Sequence, residues 1–161
     1  MKKILMTLTL VSALLTAGCQ QPFSDSRTLS GSEPPPVQVE TDSGLHDADL
    51  GTYCWSQKNG SGMCVDAAGA IDSLAGQPPI HVVPGETVRL LMDYEPKPTN
   101  LTLRQTTPDR RESKVALDGL EFKTPDAPGL YYYDFSAWWM DEDEEDVSNG
   151  DAHYSFLIQV Q

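Results

Sequence analysis

The sequence predicts an all-β sandwich. Three observations carry that expectation. From Gly51 onward the apolar residues alternate with polar ones over short runs. Pro and Gly turns punctuate those runs, and no long segment holds a 3.6-residue apolar period. Short strands of this kind bury one face each, and two packed antiparallel layers satisfy them all.

The elements follow in order. Thr52-Tyr53-Cys54-Trp55-Ser56 and Met63-Cys64-Val65-Asp66 alternate around a turn-like Gln57–Gly62. Strand alternation puts Tyr53, Trp55, Met63 and Val65 on one side and Cys54 with Cys64 on the other. This predicts a hairpin closed by a disulfide at the start of the domain. A two-cysteine metal or redox site is the weaker alternative, because nine residues separate the pair and no histidine lies close by. Ala70–Gln77 suits a short helical turn ended by Pro78-Pro79. His81-Val82-Val83, the turn Pro84-Gly85 and the run Glu86–Tyr94 come next, with Val88, Leu90 and Met92 alternating. After Pro96 and Pro98, Asn100–Gln105 places Leu101 and Leu103 on one face. Ser113–Leu117 and Leu120–Lys123 flank Asp118-Gly119, a two-residue hairpin signal. Leu130–Met140 is a long aromatic strand: Tyr131, Tyr133, Phe135, Ala137 and Trp139 turn inward, and Tyr132, Asp134, Ser136 and Trp138 outward. Ala152–Val160 ends the chain with Ala152, Tyr154, Phe156, Ile158 and Val160 on one side.

One local pattern narrows the fold. Asp126-Ala127-Pro128-Gly129-Leu130-Tyr131 resembles the Asp-x-Gly-x-Tyr corner that leads into strand F of immunoglobulin-like domains, with Asp126 one position further from the glycine. Tyr133 then stands where antibody domains carry their second cysteine. The resemblance implies an immunoglobulin-like antiparallel β-sandwich and no function.

The N-terminus carries the address. Lys2 and Lys3 precede an apolar run, Ile4 to Leu15, of 12 residues. A spanning helix needs roughly 20, so this is the core of a secretory signal. Leu15-Thr16-Ala17-Gly18-Cys19 resembles the lipobox of bacterial lipoproteins, with Thr16 in place of the commoner Leu. The resemblance implies cleavage after Gly18 and a diacylglyceryl thioether on Cys19, hence a protein outside the cytoplasm and lipid-anchored to the plasma membrane. An ordinary cleaved signal is the plainer alternative. With Cys19 lipidated, Cys54 and Cys64 are the remaining pair in an oxidising compartment. Gln20–Leu45 is rich in Ser, Pro, Gly, Thr and Asp, and Pro34-Pro35-Pro36 lies inside it. The expected organisation is a signal peptide over 1–18, a disordered tether over 19–46 and a sandwich over 47–161.

Charge restricts the partners. The chain carries a formal −13, and loss of Lys2 and Lys3 brings the mature form to −15. Phosphate backbones repel such a surface, which argues against nucleic-acid binding. The run Asp141-Glu142-Asp143-Glu144-Glu145-Asp146 links the last two strands. Asp141, Asp143, Glu145 and Asp146 are candidate ligands for Ca²⁺, whose chemistry favours carboxylate oxygens. An EF-hand register fails, because its sixth position, counted from Asp141, is Asp146 rather than Gly. A solvated loop that keeps a sheet edge from pairing is the competing reading. Tyr132 and Trp138 are candidate binding residues, since an exposed aromatic sheet face suits sugars or proteins; cover by a neighbouring segment, such as the Cys54–Cys64 hairpin, is the competing reading. His46, His81 and His153 are not brought together by spacing, and a Gly-x-Ser-x-Gly nucleophile signature and a glycine-rich phosphate loop are both missing.

Gly51-Thr52-Tyr53-Cys54-Trp55-Ser56, Cys64-Val65-Asp66, Val83-Pro84-Gly85-Glu86, Trp138-Trp139-Met140 and Gly150-Asp151-Ala152 together resemble a group of uncharacterised lipoproteins of Bacillus-type Gram-positive bacteria. The likeness implies a lipoprotein on the outer face of the plasma membrane and transfers no catalytic residue. The expectation is therefore a monomeric, non-enzymatic binding or structural module of the cell envelope, without a cofactor, whose partner is an envelope protein or glycan. A Ca²⁺-binding domain built on the 141–146 loop is the alternative.

Overall fold

A computed structural model describes residues 29–56 and 61–161 of the chain. The expected signal peptide, Cys19 and the first part of the expected tether lie outside the described residues. Among the described residues eleven strands and one helical turn follow one another: β1 Gln38–Thr41, β2 Gly44–Asp47, β3 Asp49–Ser56, β4 Gly62–Val65, α1 Ala70–Ser73, β5 Ile80–Val82, β6 Thr87–Leu91, β7 Asn100–Thr106, β8 Glu112–Val115, β9 Glu121–Lys123, β10 Gly129–Met140 and β11 Ser148–Val160.

The strands form two packed sheets. One has the order β2-β1-β6-β9; the other runs β4-β3-β11-β10-β7-β8, with β5 parallel to the end of β11. Strands β1, β6 and β9 against β7, β10 and β11 reproduce the ABE and CFG layers of an immunoglobulin-type sandwich. The Tyr131 hydroxyl donates to the Ala127 carbonyl at 3.0 Å, the bond that defines a tyrosine corner.

Alternation built the core as expected. Val88 and Leu90 face in from β6, Leu103 from β7, and Tyr133, Phe135, Ala137 and Trp139 from β10. Ala152, Tyr154, Phe156, Ile158 and Val160 complete it from β11. Tyr133 and Phe156 stack at 5.0 Å with nearly parallel rings, and Phe122 of the opposite sheet lies 5.1 Å from Tyr133. At the other end Trp55, Tyr94 and Trp139 meet edge to face. Cys54 pairs directly across from Cys64, and the two form a disulfide with a Cα–Cα distance of 4.1 Å.

Two expectations need correction. The domain does not begin at 47. Residues 29–46 belong to the sandwich: Leu29, Val37 and Val39 are buried, and β1 is a central strand of its sheet. The Tyr154 hydroxyl donates to the Pro35 carbonyl at 2.6 Å, and Tyr94 both accepts from the Ser30 N–H and donates to its carbonyl. Leu29 sits where residue 150 has no side chain. A Cβ on Gly150 would come within 2.4 Å of a Leu29 methyl and 2.8 Å of the Trp55 ring. Composition misled here, because the alternation of Val37, Val39 and Thr41 is only three positions long among polar neighbours.

The second correction concerns Asp118-Gly119. The turn is real: Asp118 and Glu121 exchange backbone bonds at 2.9 and 3.0 Å, and Gly119 takes a left-handed φ of 62° that suits glycine. Its flanks do not pair with each other. β8 pairs with β7 and β9 with β6, so the segment crosses between sheets. β9 gains a buried seat for Phe122 beside β6, while β8 lies largely exposed along β7.

Candidate functional site

The outward face of the larger sheet carries its polar chemistry in register. Across β10 and β11, Asp134 faces Ser155, Ser136 faces His153 and Trp138 faces Asp151. The spacing of two in each strand brings all six side chains to one side. Antiparallel pairing brings His153 against Ser136, a partner that spacing along the chain does not show.

Ser136 is buried, and its hydroxyl shares a 2.8 Å hydrogen bond with His153 Nδ1. His153 Nε2 points toward Asp151, 3.8 Å from Oδ1. Trp138 meets the imidazole edge to face at 5.7 Å. Ser136 is 7 % exposed, so the hydroxyl that bonds the imidazole is itself withdrawn from solvent.

Beside this set lies a pocket of about 290 Å³. Gly51, Ala67 and Gly69 form its wall, and Asp134, His153 and Ser155 its polar side. The wall is held by Thr52, whose hydroxyl accepts from the Ala67 N–H at 3.1 Å. Asp134 accepts a 3.3 Å bond from the Ser155 hydroxyl. Burial pushes the Asp134 carboxyl above its usual range; Ser155 and, more weakly, His153 and Arg104 oppose that shift, while Glu112 adds to it. Arg104 is committed to Glu112 in an ion pair. Larger clefts of about 460 Å³ flank Asp118 and Glu121, but Glu121 there is already paired with Arg89.

The proposed binding pair separates. Tyr132 is half-buried against the apolar cluster of Ala70, Leu74 and Leu157, under α1. A neighbouring segment thus covers Tyr132, and it is α1 rather than the Cys54–Cys64 hairpin: α1 has no long apolar face, yet Ala70 and Leu74 cap the sheet. Trp138 stays half-exposed at the rim of the polar set.

The acidic loop does not converge. Asp141 accepts bonds from the backbone N–H groups of Asp143 and Glu144 at 2.8 and 3.0 Å, and from Asn149 at 3.1 Å. Those bonds hold its carboxyl below the ordinary range. Asp143, Glu145 and Asp146 are exposed. Among the described residues no three His, Cys, Asp or Glu side chains are grouped to hold a metal ion. Like charges splay toward water, and the carboxylate nearest the sheet is used to shape the turn.

Not readable from the chain were Ser155 as the partner of Asp134, His153 as that of Ser136, and Asp151 as the neighbour of Trp138 and His153. Part of the signal was present: with Ala152 and Tyr154 inward, their neighbours must point out. The register across β10 was not readable. No helix among the described residues is long and apolar enough to cross a membrane. Neither a family model, nor a curated protein, nor a solved structure matches this chain.

Proposed function

We propose that this protein is a lipid-anchored, non-enzymatic binding module of the cell envelope, held outside the cytoplasm through Cys19 and recognising a glycan with the outer face of its larger sheet. The observation that carries the binding reading is the juxtaposition of half-exposed Trp138 with the His153–Ser136 pair and the adjoining Asp134 pocket. An aromatic ring beside fixed donors and acceptors is what a sugar needs: an apolar platform for its C–H face and directional partners for its hydroxyls. The leader ending at Cys19 supports the anchor.

The test uses full-length protein in detergent micelles and polysaccharide isolated from cell envelopes. Binding should fall at least tenfold in Trp138→Ala while the melting temperature stays within a few degrees. Unchanged retention by that variant refutes the site. Metabolic labelling with palmitate should mark the wild type and not Cys19→Ser; label on both would refute the anchor.

A further inference from the structure

The pocket at Asp134 has a charge problem that a ligand could solve. Its carboxylate is half-buried on the sheet face and accepts a hydrogen bond, at 3.3 Å, from the neutral Ser155 hydroxyl. Among the described residues Asp134 forms no ion pair, because Arg104, its neighbour across β7, is bound to Glu112. His153 on the opposite side is tied through Nδ1 to Ser136, and its other nitrogen faces Asp151. The wall opposite is made of Gly51, Ala67 and Gly69, and a Cβ added to Gly69 would meet nothing within 4 Å. A small group can therefore come close to the carboxylate without displacing a side chain.

The occupant that satisfies these groups is a compact cation with several N–H donors. An alkylammonium has three donors on one atom. One can reach Asp134, a second the Ser155 hydroxyl, and the third can stay hydrated at the mouth. The net charge of −13 draws cations to this surface. Trp138 lies four residues along β10 from Asp134, about 13 Å by strand rise, where a neighbouring unit of an oligosaccharide would rest.

We infer that the pocket formed by Asp134, Ser155, His153 and the Gly51–Gly69 wall binds the free ammonium group of an amino sugar, in preference to the same sugar bearing a hydroxyl or an N-acetyl group. The inference rests on the glycan reading above and names the chemistry that sets its specificity. An N-acetyl group removes the charge and adds an acyl unit with no cation for Asp134.

Calorimetric titration of the full-length protein in micelles distinguishes the possibilities. The probes are trisaccharides of glucosamine, N-acetylglucosamine and glucose, and 1,4-diaminobutane as an ammonium without a ring. Glucosamine trisaccharide should bind about tenfold or more tighter than the two uncharged sugars, the scale of one charge-assisted hydrogen bond. Asp134→Asn should abolish that preference, and Trp138→Ala should weaken all three sugars. Equal affinity for the three sugars overturns the ammonium assignment and leaves the glycan reading standing. No sugar binding overturns both. Diamine binding as tight as the amino sugar overturns the assignment to a sugar, and a preference that survives in Asp134→Asn overturns the location. The wild-type comparison among ligands holds even if a variant fails to fold.

Discussion

Replacing Cys54 and Cys64 together by serine isolates what a single cross-link contributes to this sandwich. The two sulfurs lie on the outer face of the β3–β4 hairpin, Cys64 exposed and Cys54 partly so, with Trp55 buried on the opposite face. The substitution therefore removes little buried apolar area and leaves the core intact. What it returns is freedom to the unfolded chain. The cross-link spans a sequence separation of 10. Loop-closure entropy for a ring of that size corresponds to about 2.7 kcal/mol at 25 °C. Spread over the unfolding entropy of a domain this long, that loss lowers the melting temperature by roughly 10 °C. Differential scanning calorimetry of the oxidised protein and the double serine variant measures it, and adding reductant to the wild type should reproduce the variant. A drop below about 3 °C, with both forms folding reversibly, would refute the entropic reasoning. It would mean that the unfolded hairpin is already restricted, or that the oxidised native form is destabilised by a matching amount.

Three further outcomes are expected. Leu29→Ala should cost about 2–4 kcal/mol in urea denaturation, because the side chain is 1 % exposed at the Gly150–Trp55 seat; a cost under about 0.5 kcal/mol would return residue 29 to the tether. Glu86→Gln should cost about 1–2 kcal/mol in the same assay, since the buried carboxylate accepts the N–H groups of Asp42 at 2.8 Å and Val83 at 2.9 Å and so ties two turns together; an unchanged midpoint would show those bonds to be dispensable. Asp134→Asn should melt higher than the wild type at pH 7. Burial raises the native carboxyl, so its contribution to stability is fully present below the unfolded value near 3.8 and is lost as pH rises through the raised native value. The gap should close when melting is repeated in acid, and a variant less stable than wild type at pH 7 would refute the assignment.

If Asp134→Asn is both more stable and unable to bind, the carboxylate is kept for its ligand rather than for the fold. That pairing of outcomes links the structural prediction to the proposed site, and either one alone leaves a narrower conclusion.

Local chemistry was legible along the chain wherever a residue's neighbours in sequence decide its role. Period-two alternation marks the core faces of β6, β10 and β11, because side chains on a strand must point to opposite sides. The same rule aligned Cys54 with Cys64, and the Asp126–Tyr131 corner announced its hydrogen bond. Partnership across strands was not legible, since register depends on which edges compete for pairing. Only the folded arrangement took β1 and Leu29 into the core, sent β8 and β9 to different sheets, laid α1 over Tyr132 and turned Asp141 inward on its own loop. It also placed His153 against Ser136, 17 residues away in sequence. The sequence by itself determined an all-β domain with one disulfide and an acidic surface. The tertiary structure decided which polar side chains share a pocket, because pairing distance across a sheet is independent of distance along the chain.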